Sequence, residues 1–252
     1  MTTTARPATA RSDEVSRFAA MARDWWDPKG PVKPLHKLNP FRIEFLKSRL
    51  ARHFARDLES PRPFEGLRLL DLGCGGGLVT EPMARLGFEV TAIDASLESI
   101  EVARAHAEEQ GLAIDYRQAQ PEDLPCPDEG WDVVLALEII EHVSDVNDFL
   151  SLAAALVRPG GALMGATVNR TTKSWLFGIV GAEFILRWLP AGTHDWNRFV
   201  KPSEFAAGLR RSGMEVRDLE GLAYNPLKDI WFPTKDLSVN YLLYAVKPQT
   251  GG

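Results

Sequence analysis

The stretch LALEIIEHV, residues 135–143, sets two carboxylates and an imidazole, Glu138, Glu141 and His142, directly after an apolar run. Spaced i, i+3, i+4, the three share one face of a helical turn if a helix begins here. Such a mixed oxygen and nitrogen set suits Mg²⁺, Mn²⁺ or Zn²⁺. The same residues suit a second role equally in kind, with an acid and a histidine capping or packing the next helix and no metal bound. A further imidazole, His194 in GTHDW, titrates near neutrality and is a candidate general base, a structural role in its own segment being the alternative.

Upstream, LLDLGCGGG puts a tight glycine turn right after a short apolar strand. Gly73, Gly75 and Gly77 form G-x-G-x-G, and glycine lets the backbone take positive φ and approach a ligand closely. A dinucleotide fingerprint requires a small third residue at position 78, where Leu78 stands instead. Asp94, at the end of VTAID, is placed to accept the ribose hydroxyls of either kind of nucleotide cofactor. Asp71, two residues before Gly73, favours a cationic amino-acid ligand over a pyrophosphate, because like charges repel.

These residues need a scaffold, and the hydrophobic pattern supplies one. LRLLDLG, FEVTAIDAS, AIDYRQA, WDVVLALE and ALMGATVN read as strands, alternating with the helical stretches LVTEPMARLG, LESIEVARAHAEEQG and VNDFLSLAAALVRPGG. That alternation predicts an α/β doubly wound fold with a parallel sheet. Residues 170–201 interrupt it, and a helix near 202–212 and two late strands come after, suiting an antiparallel addition at the sheet edge. Residues 1–12 read as a disordered tail, 13–60 as an N-terminal helical cover broken by DPKGPVKPLHKLNP, and 61–252 as the main domain.

Composition narrows the function. The 252 residues are 45% hydrophobic and 25% charged, ordinary for a soluble globular protein. A formal net charge of -5 argues against nucleic acid as a partner. Two cysteines, Cys74 and Cys126, without metal-type spacing fit a reducing cytoplasm. The N-terminus lacks the apolar core of a secretory signal, and no apolar run reaches the roughly 18 residues of a membrane span.

LDLGCGGG, VTAIDAS, AQPEDLP and WDVVLALE, in this order and spacing, resemble the cofactor motifs of class I S-adenosylmethionine-dependent methyltransferases. The resemblance implies a Rossmann-like, mostly parallel seven-stranded sheet with helices on both faces and an insertion after the fifth strand. It implies cofactor binding by Gly73, Gly75, Asp94 and Leu137; Glu122 and Asp123 fall near the adenine position or are surface charge. WWDPKGPVKPLHKLNPFR, LEIIEHV, VNRTTKSWLFGIVGAEFILRWLPAGTHDW and GLAYNPL further resemble the ubiquinone-biosynthesis O-methyltransferases, over nearly the whole chain. This second resemblance implies O-methylation of polyprenylated catechol-type rings, 2-polyprenyl-6-hydroxyphenol and 3-demethylubiquinol. It places Arg42 of NPFR on the methionine carboxylate and a divalent cation, Mg²⁺ foremost, on Glu138, Glu141 and His142. It also implies a cytoplasmic protein held peripherally at the inner face of the membrane, with other ubiquinone-biosynthesis enzymes as partners. SWLFGIVGAEFILRWLP, residues 174–190, is too short and too charged to span a bilayer; its tryptophans suit the headgroup region, a buried core helix being the alternative. Rival readings are an NAD-dependent oxidoreductase, against which Leu78 counts, and a non-catalytic cofactor-binding subunit of a quinone-biosynthesis complex.

Overall fold

A computed structural model of the chain describes residues 9–124, 130–174, 196–225 and 228–249. Short apolar runs between helices pair into one sheet of order β3-β2-β1-β4-β5-β8-β6-β7. These strands are β1 (Arg68–Leu72), β2 (Glu89–Asp94), β3 (Asp115–Gln118), β4 (Trp131–Leu137), β5 (Val157–Val168), β6 (Glu215–Asn225), β7 (Ile230–Thr234) and β8 (Asn240–Val246). The first five are parallel, and β8, β6 and β7 add to β5 in antiparallel fashion. The direction of winding reverses between β1 and β4, where doubly wound sheets open a crevice at the strands' carboxyl ends. β7 is an eighth strand beyond the seven expected. It lies between the two late strands read from the sequence, and its Pro233, which cannot donate to a ladder, is tolerated because β7 is an edge.

The central strands are apolar on both faces, so helices must cover both. Leu69, Val133 and Leu135 pack under α2 (Lys33–His53), α3 (Thr80–Arg85) and α4 (Leu97–Glu109), with Phe45, Leu46, Met83 and Ile100 fully buried there. Leu70, Leu72, Val134 and Ala136 face α5 (Val146–Leu156) and α7 (Pro202–Arg211) through Phe149, Leu150, Phe205 and Leu209. α6 is a single turn, Thr172–Ser174.

The N-terminal segment lies across the ligand end of this sandwich. α1 (Ser12–Met21) is followed by a 3-10 turn and then by Trp25, 6% exposed against Val32 and Leu78. Trp26 stacks on His106 of α4 at 3.5 Å, and His106 Nδ1 lies 2.6 Å from Glu81 of α3, which fastens the cover to the domain. Of the tail expected over residues 1–12, residues 9–12 are described. Thr9 is buried, its N–H and hydroxyl both donating to Glu122 at 2.7 Å, and Ala10 bridges Val143. His194, Cys126 and residues 175–190 lie outside the described residues.

Candidate active site

Three glycines shape the turn after β1. Gly73 (φ +71°), Gly75 (+53°) and Gly77 (+87°) take the left-handed conformations that side chains resist. A Cβ on Gly75 would stand 2.6 Å from the Trp25 ring, so the close approach of the cover demands glycine there. Asp94, at the tip of β2, holds the turn in place. Its two oxygens accept from the Gly75 N–H (2.9 Å) and the Ser96 N–H (2.8 Å), and each keeps a lone pair for a further donor. Burial raises its pKa, those two hydrogen bonds opposing the rise.

Asp71, inside β1, is 3% exposed and accepts from the Thr80 hydroxyl at 2.7 Å. Burial pushes its carboxyl up to about 6, the Thr80 hydrogen bond opposing and the Asp94 charge adding to the rise. A buried carboxyl of this kind gains from a cation placed beside it.

Arg42 reaches in from α2, 3% exposed. Its Nη2 lies 2.7 Å from Glu138 Oε1, an ion pair whose geometry leaves the N–H without an aligned acceptor. Nε and Nη2 both lack a hydrogen bond. These two nitrogens form the edge that grips a carboxylate bidentately. Nε thus has no partner while Nη2 is ion-paired with Glu138, and Arg42 borders the cavity, where its Nε suits a carboxylate oxygen of an amino-acid ligand.

The acidic stretch after β4 departs from the expected geometry. Glu138 has φ +52°, and the next turn, Ile140–His142, is 3-10 rather than α-helical. The left-handed residue breaks the helical phase, so the three side chains separate. Glu138 meets Arg42; Glu141 accepts from the Thr167 hydroxyl at 2.7 Å; His142 Nδ1 lies 2.9 Å from Glu14 of α1, with Phe18 edge-on at 5.1 Å. Burial and the Glu138 charge push the Glu141 carboxyl up to about 7, against His142 and Thr167. For His142 burial lowers the pKa, but Glu14 and Glu141 outweigh it and the net shift is upward. Among the described residues no group of three His, Cys, Asp or Glu side chains is placed to hold a metal ion. In this arrangement the three donors of the divalent clamp expected from the sequence stand apart, each on its own partner.

Eight of the candidate residues nevertheless border one cavity of about 220 Å³: Arg42, Gly73, Gly75, Asp94, Leu137, Glu138, Glu141 and His142. Asp71 borders it too, and Thr9, Glu14, Phe18 and Trp25 roof it. The roof was not anticipated. Asn39, one helical turn before Arg42, was also missed; it donates to the Leu78 carbonyl at 3.0 Å and ties α2 to the glycine turn. Its signal is weak, a lone polar residue on the buried face of a helix. Glu122 does not border this cavity; its two oxygens each accept from Thr9.

The fold and crevice define a class I methyltransferase. Residues 70–165 match the family described as Methyltransferase domain. Magnesium protoporphyrin IX methyltransferase from Synechocystis PCC 6803, solved with bound SAH, superposes with a TM-score of 0.62 at 18% identity, covering 92% of this chain and 94% of that one. Among curated proteins, the ubiquinone biosynthesis O-methyltransferase of Paramagnetospirillum magneticum is 56% identical over 95% of this chain and 96% of its own length. That of Chelativorans sp. is 48% identical over 97% and 96%. The chain belongs to the ubiquinone biosynthesis O-methyltransferase family and is an S-adenosylmethionine-dependent O-methyltransferase. No helix among the described residues is long and apolar enough to cross a membrane.

Proposed function

We propose that the protein methylates a phenolic hydroxyl of polyprenylated catechol-type rings, 2-polyprenyl-6-hydroxyphenol and 3-demethylubiquinol; relatives named ubiquinone biosynthesis O-methyltransferase support an O-methylation in that biosynthesis. The observation that carries the cofactor half of this reading is the buried Arg42, its Nε without a partner, bordering the same cavity as Asp94. Arg42 grips the methionine carboxylate, Asp94 accepts from the ribose hydroxyls, Asp71 offsets the cofactor's positive charge, and Leu137 supplies an apolar wall. Gly73 and Gly75 let the backbone come close enough for this seat to form.

S-adenosylmethionine supplies an electrophilic methyl on a sulfonium. The ring oxygen, having lost its proton, attacks that carbon in line; the C–O bond forms as the C–S bond breaks, leaving a neutral thioether. Two opposite charges are consumed, so a site that excludes water favours transfer. Thr9, Phe18 and Trp25 close the cavity from above and serve that end. The divergent placement of Glu138, Glu141 and His142 supports no step through a metal ion. Residues 174–190 come after the fifth strand in the chain and carry interfacial aromatic residues, supporting a membrane-surface role in admitting the prenyl chain.

Incubation with S-adenosylmethionine and a demethylated quinol, with and without chelator, read by mass spectrometry, tests the proposal. Gain of one methyl group on the quinol is expected. Tight cofactor binding without turnover would refute it and leave a cofactor-retaining subunit.

A further inference from the structure

Buried polar side-chain atoms in a folded protein are paired as a rule, and each exception needs a reason. Among the described residues, two that border the cofactor cavity carry a buried nitrogen without a hydrogen bond: Arg42 at Nε and Trp25 at Nε1. The first is assigned above to a carboxylate. The second has no role so far. Trp25 is 6% exposed, and its indole N–H is a donor with no acceptor in the protein.

The ring is held closely against the glycine turn. A Cβ on Gly75 would stand 2.6 and 2.7 Å from Cζ2 and Cη2 of its benzo edge, and one on Gly76 would stand 2.5 Å from Cγ and 3.0 Å from Cδ1 of its pyrrole side. The backbone of Trp25 is held as well, its carbonyl 2.8 Å from His36 Nε2. A chain of contacts leads from the indole to Arg42. Leu78 packs against Trp25, and its carbonyl accepts from Asn39 at 3.0 Å. Asn39 stands one turn before Arg42 on α2, with its Oδ1 3.5 Å from Arg42 Nη1. Trp26 also buries an indole N–H without a hydrogen bond, but its ring is stacked on His106 and does not border the cavity. Position separates the two tryptophans.

Two buried donors at one cavity, one cationic and one neutral, call for an acceptor with two oxygens and a negative charge. A carboxylate is such a group, whereas the adenine nitrogens, ribose hydroxyls and thioether of a nucleoside are neutral. We propose that Trp25 is a cofactor-binding residue whose indole N–H donates to one oxygen of the methionine carboxylate while Arg42 Nε donates to the other. The assignment rests on the S-adenosylmethionine and Arg42 reading given above. It gives the N-terminal cover a second task. Besides keeping water out, the cover holds the amino-acid arm and so helps to fix the direction of the sulfonium methyl.

The full chain is titrated by calorimetry with S-adenosylhomocysteine and with 5′-methylthioadenosine, which keeps the adenosine and the thioether but lacks the amino-acid arm. Trp25→Phe leaves a ring on the glycine turn and removes the N–H. It is expected to weaken S-adenosylhomocysteine about tenfold and to change 5′-methylthioadenosine by less than about twofold. Trp26→Phe should leave the ratio of the two affinities as in the wild type. With nitrogen-15-labelled tryptophan, the Trp25 indole signal is identified by its loss in Trp25→Phe. That signal should move downfield with S-adenosylhomocysteine and stay in place with 5′-methylthioadenosine. Thermal unfolding confirms that each variant is folded. Equal losses for the two ligands, or no loss for either, overturn the proposal and return Trp25 to packing. So does an indole signal that moves alike with both. Arg42→Gln reads the underlying assignment separately. If it loses the preference for S-adenosylhomocysteine while Trp25→Phe keeps it, only the proposal fails; if neither variant loses it, the carboxylate reading of Arg42 fails as well.

Discussion

Asp71→Asn is expected to stabilise the protein at neutral and alkaline pH while weakening its hold on the cofactor. Burial raises the carboxyl from 3.8 to about 6. The folded protein thus holds this proton more tightly than the unfolded chain does. Between those two values the native state binds more protons, and stability falls as pH rises through that window. Above it the penalty is complete and constant, about 3 kcal/mol at roughly 1.4 kcal/mol per pH unit. Asparagine keeps the shape and still accepts from the Thr80 hydroxyl, but carries no charge to bury. Urea unfolding should show the variant more stable by up to about 3 kcal/mol at about pH 8, shrinking to about 1 kcal/mol at about pH 4.5. Calorimetry should show S-adenosylmethionine binding about tenfold more weakly, the lost attraction to a cation being worth about 1.4 kcal/mol. A stability difference independent of pH would refute the buried-charge reasoning. A stabilised variant with unchanged cofactor affinity would refute the cationic partner.

Asp94→Ala should weaken both S-adenosylmethionine and its demethylated product about ten- to hundredfold by calorimetry, the scale of hydrogen bonds to a charged group. Unchanged affinity in a folded variant would remove the ribose assignment. Gly75→Ala adds a left-handed alanine and a Cβ 2.6 Å from the Trp25 ring, so a loss of about 1–3 kcal/mol in thermal unfolding is expected, with faster hydrogen exchange in α1. An alanine variant as stable as wild type would mean that Trp25 does not press on the turn. Because Glu138 meets Arg42, Glu141 meets Thr167 and His142 meets Glu14, chelation should leave cofactor affinity unchanged. A large loss in EDTA would show that the three donors regroup around an ion when the cofactor binds.

The elements that could be read from the sequence are those whose signals are local. The first five strands and their helices announce themselves by alternating apolar runs, and the glycine turn by residues that only a positive φ requires. Thr9 and Phe18 could not be read as a roof, because the contact of Thr9 with Glu122 spans 113 positions and leaves no periodic trace. β7 escaped because Pro233 makes its run look like a turn, and only pairing with β6 turns it into an edge strand. The stretch LEIIEH shows the limit most sharply. Helical phase assigns Glu138, Glu141 and His142 to one face only if every residue between them is right-handed. Glu138 itself is left-handed, a conformation that costs about 1–2 kcal/mol and has no mark in the residue type. What offsets that cost lies on another element: Arg42, buried on α2 nearly a hundred residues earlier, requires a countercharge, and the left-handed turn brings the Glu138 carboxylate to it. The pattern therefore identified which residues border the cavity, while their partners were decided by a buried cation that no reading of residues 135–143 alone contains.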